Sequence, residues 1–387
     1  MKILAPLHSP TRLASLRRMT GPRLTSLAES LPSTVPFVGP ETQERSLGRP
    51  FRARLGANES RFGPSPRAVA AMAAAAQDAW MYGDPEMADL RAAIAAHHAV
   101  TPAHVMVGEG IDGLLGTLVR LVAGPGDAVV TSLGAYPTFA FHVAGFGADL
   151  HRVPYRGDHE DPEALLDRAR ATGARLLYLA NPDNPMGSWH DGTVIEAMIN
   201  ALPQGALLVL DEAYIDLAPA SATPRIVADD PRVIRMRTFS KGYGLAGLRV
   251  GYALAAPDLI RAFDKVRNHF GMGRIAQAGA MAALADQAYL GQVQAQVATA
   301  RDRIAAIAAA NGLSALPSAT NFVTVDCGRD GAFARGVLSA CIDRGLFIRM
   351  PGVAPLDRCI RISAGQPGDL DVLEEVLPQA LNAAARG

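Results

Sequence analysis

Thr238-Phe-Ser240-Lys241-Gly-Tyr-Gly244-Leu-Ala-Gly-Leu-Arg249-Val-Gly251 is the stretch that decides how this chain is read. It follows the β-branched run Val233-Arg237, so the lysine stands just past a strand end, between hydroxyls and glycines, where a solvated surface charge is not expected. An amine that attacks carbonyls must shed its proton, and a partly desolvated cleft with a nearby cation favours that loss. Arg249, eight residues on, can supply the cation and can also bind a phosphate.

Outward from this segment, short apolar runs alternate with alanine-rich helical stretches such as Ala68-Ala79 and Ala305-Ala310, the pattern of an α/β protein with a mostly parallel central sheet flanked by helices. The expected strands are Val105-Val107, Ala128-Thr131, Leu176-Leu179, Ala206-Leu210, Val233-Arg237 and Arg249-Ala253. Such a sheet binds its ligand beyond the carboxyl ends of the strands. There the sequence places Asn181-Pro-Asp-Asn184-Pro-Met-Gly187, Asp211-Glu-Ala-Tyr214 and Thr238-Phe-Ser240-Lys241, so that amide, carboxylate, phenol and amine converge on one edge.

After about residue 270 the character changes: a long helical segment at Gln277-Ala310, a strand at Phe322-Asp326, a helix near Phe333-Asp343 and a strand at Cys359-Ser363. These suggest a flexible extension over 1–35, a large domain over 58–270, and a smaller α+β domain made of 36–57 and 271–387. Residues 1–28 carry five basic residues and no acid, but Pro6, Pro10 and Pro22 interrupt any helical face, which argues for a mobile extension, or a stretch upstream of a start at Met19, over a transit peptide.

The 37 basic and 37 acidic residues cancel, which disfavours a nucleic-acid partner, and no apolar run suits a membrane span. Cys327, Cys341 and Cys359 lack CxxC spacing and suggest free thiols in a cytoplasmic protein, and the nine histidines form no metal-ligand pattern.

An amine, an acid, hydroxyl or amide donors and an anion cradle at one sheet edge are the groups that pyridoxal 5'-phosphate (PLP) requires. Lys241 would bond the aldehyde, Asp211 would keep the pyridine nitrogen protonated, and Tyr214 and Asn184 would face the phenolate oxygen. Gly108-Glu-Gly110-Ile111-Asp112-Gly113 is a literal GxGxxG, which also raises a dinucleotide oxidoreductase, but Asp127 precedes the next strand where such a site needs an acid after it. A helix starting at Gly110-Ile111-Asp112 would serve any phosphate, PLP's included.

These residues resemble the fold-type-I PLP aminotransferases, specifically the histidinol-phosphate aminotransferase group. Asn184-Pro-Met-Gly, Asp211-Glu-Ala-Tyr214, Ser240-Lys241 with Gly-Leu-Ala-Gly-Leu-Arg249-Val-Gly, Leu55-Gly-Ala-Asn58-Glu59 and Arg361-Ile-Ser-Ala-Gly carry the likeness from about residue 36 to the C-terminus. The resemblance implies a homodimer in which Tyr136 stacks on the cofactor ring, and Thr238, Ser240, Arg249 and the amides of Gly110, Ile111 and Asp112 surround its phosphate. Tyr82 would reach the neighbouring subunit's phosphate, Arg361 with Asn184 and Asn321 would hold the substrate carboxylate, and Arg349 a distal anion.

Four departures from the pattern lie mainly on the substrate side: Ser60-Arg61 in place of Asn-Pro, Met186 in place of threonine, Phe37 in place of a tyrosine, and a different interface run, Asn268-His-Phe-Gly-Met-Gly273. They lead to the expectation of a ping-pong aminotransferase acting on an L-amino acid or histidinol-phosphate-like amine and a 2-oxo acid, with histidinol phosphate itself a poor substrate. A PLP decarboxylase of the threonine-phosphate type shares many of these residues. A PLP-binding transcription regulator would need a DNA-binding domain, and residues 1–57 do not read as one.

Overall fold

The computed structural model describes residues 23–33 and 38–386, in two units, Met1–Thr34 and Val35–Gly387. The expected extension over 1–35, Met19 and Phe37 therefore lie wholly or mostly outside the described residues. Within the first unit Ser26–Ser30 is helical, with the Thr25 hydroxyl accepting from the Ala28 N–H.

The second unit is built around a seven-stranded sheet of β2 (Val105–Glu109), β3 (Ala128–Ser132), β4 (Asp149–Val153), β5 (Leu176–Ala180), β6 (Leu207–Asp211), β7 (Val233–Thr238) and β8 (Val250–Leu254), in the order β2-β8-β7-β6-β5-β3-β4. All neighbours are parallel except β8, which runs against both β2 and β7. Side chains alternate between faces along each strand, so Leu176, Tyr178 and Ala180 join the core beneath the helix Gly110–Val122. Leu177 and Leu179 join the opposite core, beneath Pro162–Thr172 and Gly192–Asn200. Both faces are covered, which is why these strands read as unbroken apolar runs.

β1 (Ala53–Arg54) pairs in parallel with β11 (Leu346–Phe347), and β9 (Ser314–Ala315), β10 (Phe322–Asp326) and β12 (Cys359–Ser363) form an antiparallel sheet in the order β12-β10-β9. A separate core joins Ala53 and Leu55 to residues from Val293 to Ala380, so a segment that precedes the large sheet in sequence packs with one that follows it. Among the described residues no helix is long and apolar enough to cross a membrane.

Three expectations change. β4 was not among the expected strands: it is an edge strand whose Asp149, His151 and Arg152 break the apolar pattern. Arg249 is not in β8 but precedes it in the left-handed region (φ 56°). The helical segment at 277–310 divides at Asp286, which ends the helix Arg274–Ala285 and caps Gln287–Ala310 through the Tyr289 N–H.

Candidate active site

Because β2, β3, β5, β6 and β7 are parallel, their carboxyl ends share one edge, and antiparallel β8 begins at that same edge. The residues after five strands and before the sixth therefore line a single cleft of about 750 Å³. It gathers Asn58, Ile111, Asp112, Tyr136, Asn184, Asp211, Tyr214, Thr238, Ser240, Lys241, Arg249, Arg349 and Arg361.

Lys241 Nζ is half-buried, donates to the Asn58 carbonyl at 2.9 Å and lies 5.5 Å from the Tyr214 ring. Burial, helped by the positive charges of Arg361 and Arg249, lowers its pKa to about 8, so the amine gives up its proton far more readily than a surface lysine.

Asp211 ends β6 and is buried; it accepts from the Tyr178 hydroxyl at 2.6 Å and from the Ala213 N–H at 3.0 Å. Burial raises its pKa to about 6. A carboxylate in that condition gains from a cationic partner. Tyr178, stacked on Phe139 with ring centroids 4.7 Å apart, holds it from below. Tyr214 accepts from Asn58 Nδ2 at 3.1 Å, which leaves its own O–H to donate.

The anion cradle is built from backbone and cation together. Gly110 opens the helix Gly110–Val122 at φ 74°, and a Cβ there would fall 2.3 Å from Arg249 Nη2. The positive φ favours glycine there, and the first N–H groups of the helix point outward without intrahelical partners. The Asp112 carboxylate is turned away to His142 Nε2 at 2.9 Å. Ser240 Oγ accepts from Arg249 Nη1 at 3.3 Å and lies 3.0 Å from Thr238 Oγ1, whose single proton is shared between it and the Val250 carbonyl at 3.2 Å.

Those groups fit PLP: a readily deprotonated amine, a buried acid, a phenol donor and a phosphate cradle that opens at a glycine of positive φ. The GxGxxG does not build a dinucleotide fold, because β2 lies at the sheet edge, antiparallel to its neighbour, where a dinucleotide site needs a central parallel strand.

At the other end, Arg361 Nη1 donates to Asn184 Oδ1 and Nη2 to the Gly56 carbonyl at 3.3 Å, while its buried Nε has no partner. Arg349 donates to the Val38 carbonyl and lies 5.2 Å from the Phe347 ring. Among the described residues neither guanidinium meets a carboxylate.

Several expected site residues stand elsewhere. Asn321 is buried beneath the lining, its Nδ2 donating to the carbonyls of Asn58 at 3.0 Å and Glu59 at 3.3 Å, so it supports that turn and does not line the cleft. Tyr82 is 78% exposed and touches Phe270 outside this chain's cleft. Met186 packs against Leu356 and Cys359, and Arg61 makes a two-pronged pair with Asp369, so neither departure reaches the lining. Asn58 and Tyr178 were not singled out as site residues. The recurrence of Asn58 in the Leu55-Glu59 run was the one sequence signal for the former, and Tyr178 is hidden in an apolar strand.

Residues 53–377 match the family model of class I and II aminotransferases. The chain is 36% identical over 353 residues to a histidinol-phosphate aminotransferase of Roseiflexus castenholzii, covering 89% of this chain and 94% of that one. It is also 36% identical over 341 residues to the enzyme of that name from an Anaeromyxobacter species, covering 87% and 93%. Its fold superposes with TM-score 0.91 and 54% identity on the crystal structure of a Sinorhizobium meliloti histidinol-phosphate aminotransferase in complex with PLP, over 94% of this chain and 99% of that one. A Thermus thermophilus aspartate aminotransferase with maleate, 21% identical at TM-score 0.76, shares the fold over 93% and 100%. A PLP decarboxylase is not favoured by these relatives. The chain is a PLP-dependent enzyme of fold type I and belongs to the class I and II aminotransferases, within their histidinol-phosphate aminotransferase group.

Proposed function

We propose that this aminotransferase takes its amino group from an amine with an anionic tail, histidinol phosphate foremost, and passes it to a 2-oxo acid in ping-pong fashion. The observation that carries this reading is the pair Arg349 and Arg361 at one end of the cleft, two half-buried cations without a carboxylate partner among the described residues. Burial lowers the pKa of both, and Arg349 adds to the effect on Arg361, so an incoming dianion relieves both at once. The sequence-based expectation that histidinol phosphate is a poor substrate loses two of its supports, because Met186 and Arg61 are engaged elsewhere. Its main one, Phe37, lies outside the described residues.

PLP supplies an aldehyde that bonds amines and a protonated ring that draws electrons from the attached carbon. Lys241 would hold the cofactor and, when free of it, would move the substrate proton as base and then acid. Asp211 would keep the ring nitrogen protonated, Tyr214 and Asn184 would donate to the phenolate oxygen, and Tyr136 would stack on the ring. Thr238, Ser240, Arg249 and the helix N-terminus at Gly110, Ile111 and Asp112 would hold the phosphate.

Tyr82 (78% exposed) and Phe270 (56% exposed), with ring centroids 4.9 Å apart, leave an exposed aromatic pair that suits a second copy of the chain, with Tyr82 completing the partner's phosphate site. A division into a large domain over 58–270 and a small one from 36–57 and 271–387 agrees with the separate cores, and three buried free thiols suit the cytoplasm.

Measuring kcat/KM for histidinol phosphate against a panel of free amino acids tests the substrate reading. Arg349→Ala is expected to cut the value for the phosphorylated amine by roughly ten- to a hundredfold, the worth of a hydrogen bond to a charged group, and to spare amino acids lacking a second anion. A wild-type preference for a bulky neutral amino acid, unchanged by Arg349→Ala, overturns it.

A further inference from the structure

The turn at Asn58 joins both halves of the second unit to the catalytic amine. Asn58 is 3% exposed and left-handed (φ 55°), a conformation that asparagine and glycine accept and alanine resists. Every polar atom of the residue is engaged. Its N–H donates to Ser363 Oγ at 3.0 Å, and its Oδ1 accepts from that same hydroxyl at 3.0 Å. Its Nδ2 donates to the Tyr214 hydroxyl at 3.1 Å. Its carbonyl oxygen accepts from two donors, Lys241 Nζ at 2.9 Å and Asn321 Nδ2 at 3.0 Å.

We propose that the Asn58 carbonyl is the docking point of the Lys241 amine whenever that amine is not bonded to the cofactor, and that Asn58 and Asn321 are positioning residues that fix this oxygen and set its strength as an acceptor. A neutral amine that donates one N–H to a carbonyl has its lone pair directed elsewhere, which is what a proton acceptor above a substrate carbon requires. The second donor matters. An oxygen shared with the Asn321 amide accepts less strongly from the ammonium, so the amine is held in place without being locked in its protonated form. Four charged groups face the same nitrogen: Arg361 and Arg249 disfavour its charge, while Glu59 and Asp211 favour it.

The inference rests on Lys241 being the PLP-bearing amine, and the two are tested separately. Peptide mapping of the borohydride-reduced, PLP-loaded enzyme addresses the cofactor. The docking point is read in cofactor-free protein, from the pH dependence of Lys241 acetylation followed by mass spectrometry. Asn321→Ala leaves the carbonyl to the ammonium alone and is expected to raise the Lys241 pKa by about half a unit or more. Asn58→Ala strains the turn, displaces the oxygen and is expected to lower it by a similar amount. Asn58→Gly accepts the same φ, retains the carbonyl and is expected to titrate like the wild type, with Glu59→Gln measured alongside to separate that residue's charge. In the loaded enzyme Asn58→Ala is expected to slow single-turnover proton transfer by tenfold or more with little change in substrate KM. Shifts of the same sign in Asn321→Ala and Asn58→Ala, no shift in either, or an Asn58→Gly protein indistinguishable from Asn58→Ala each overturn the proposal.

Discussion

Asp211 and Glu212 are adjacent buried carboxylates with opposite fates. Successive side chains leave a strand on opposite faces, so Glu212 meets Arg235 at 2.8 Å and Arg237 at 2.8 Å while Asp211 meets only neutral donors. Burial acts to raise both, but the two guanidiniums outweigh it at Glu212 and bring its pKa to about 2, whereas Asp211 is left at about 6. The one carboxylate left without a cation is the one that faces the cleft. Asp211→Asn keeps the shape and loses the charge, so we expect single-turnover proton removal to fall by about a hundredfold or more while PLP still binds. Stopped-flow absorbance measures this, and a nearly unchanged rate makes Asp211 a structural residue. Lys241 adds a pH dependence of its own: with its pKa lowered to about 8, attachment of added PLP to the cofactor-free protein should quicken as pH rises through 8 and level off above it. Of the residues in this cleft, Lys241, Asp211, Tyr214, Asn184 and Arg249 were legible because each follows or precedes a strand in a distinctive run. The contacts of Asn58 were not legible, since its partners Tyr214 and Ser363 lie 156 and 305 residues away.

Departures from the family pattern turn out to act on elements. Arg61 reaches Asp369 with two hydrogen bonds of 2.9 Å, and Asp369 is also the acidic member of the capping box that starts the helix Pro367–Ala384, accepting from the Gln366 N–H at 3.0 Å. An arginine at 61 thus ties the loop after β1 to the first turn of the last helix, where negative charge is favourable. Removing the carboxylate unties both. Asp369→Ala is expected to cost about 1–2 kcal/mol, seen as a lower urea midpoint, with KM for the amino donor little changed. A large KM effect with no loss of stability would put Arg61 back on the substrate side. The same tertiary cause limited the reading of elements. Periodicity located the interior strands, because two covered faces leave a continuous apolar run. It could not find β4, whose outer position admits charges, or the division of the helical segment at Asp286, which depends on a local cap more than on composition.

At the scale of the whole molecule, the interior collects buried acids besides Asp211. Glu160 and Asp183 are 2% exposed each, and Glu160 accepts from the Ala180 N–H at 2.8 Å while Asp183 accepts from the Tyr155 hydroxyl at 2.9 Å. Burial and their mutual repulsion push Glu160 up, and burial pushes Asp183 up, as it does Asp211. A carboxyl whose folded pKa exceeds its unfolded one contributes stability that is complete below about pH 4 and is lost as pH rises through the folded value. For Asp211 the rise from 3.8 to about 6 corresponds to about 3 kcal/mol at most. Glu212 has the opposite sign: its contribution is present above 4.5 and lost only as pH falls toward about 2. Cofactor-free protein should therefore become less stable between about pH 4 and 7. If Asp211 meets the cofactor's ring nitrogen as proposed, bound PLP would give its carboxylate a cationic partner, so in the loaded protein that part of the loss should vanish while the part due to Glu160 and Asp183 remains. The expected outcome is a Tm difference between loaded and cofactor-free protein that widens as pH is raised from 5 to 7, at constant PLP concentration, and that stays flat in Asp211→Asn. Thermal unfolding of both proteins in matched buffers measures it. A difference that narrows over that range would mean that the Asp211 carboxylate is not the group that meets the cofactor's charge.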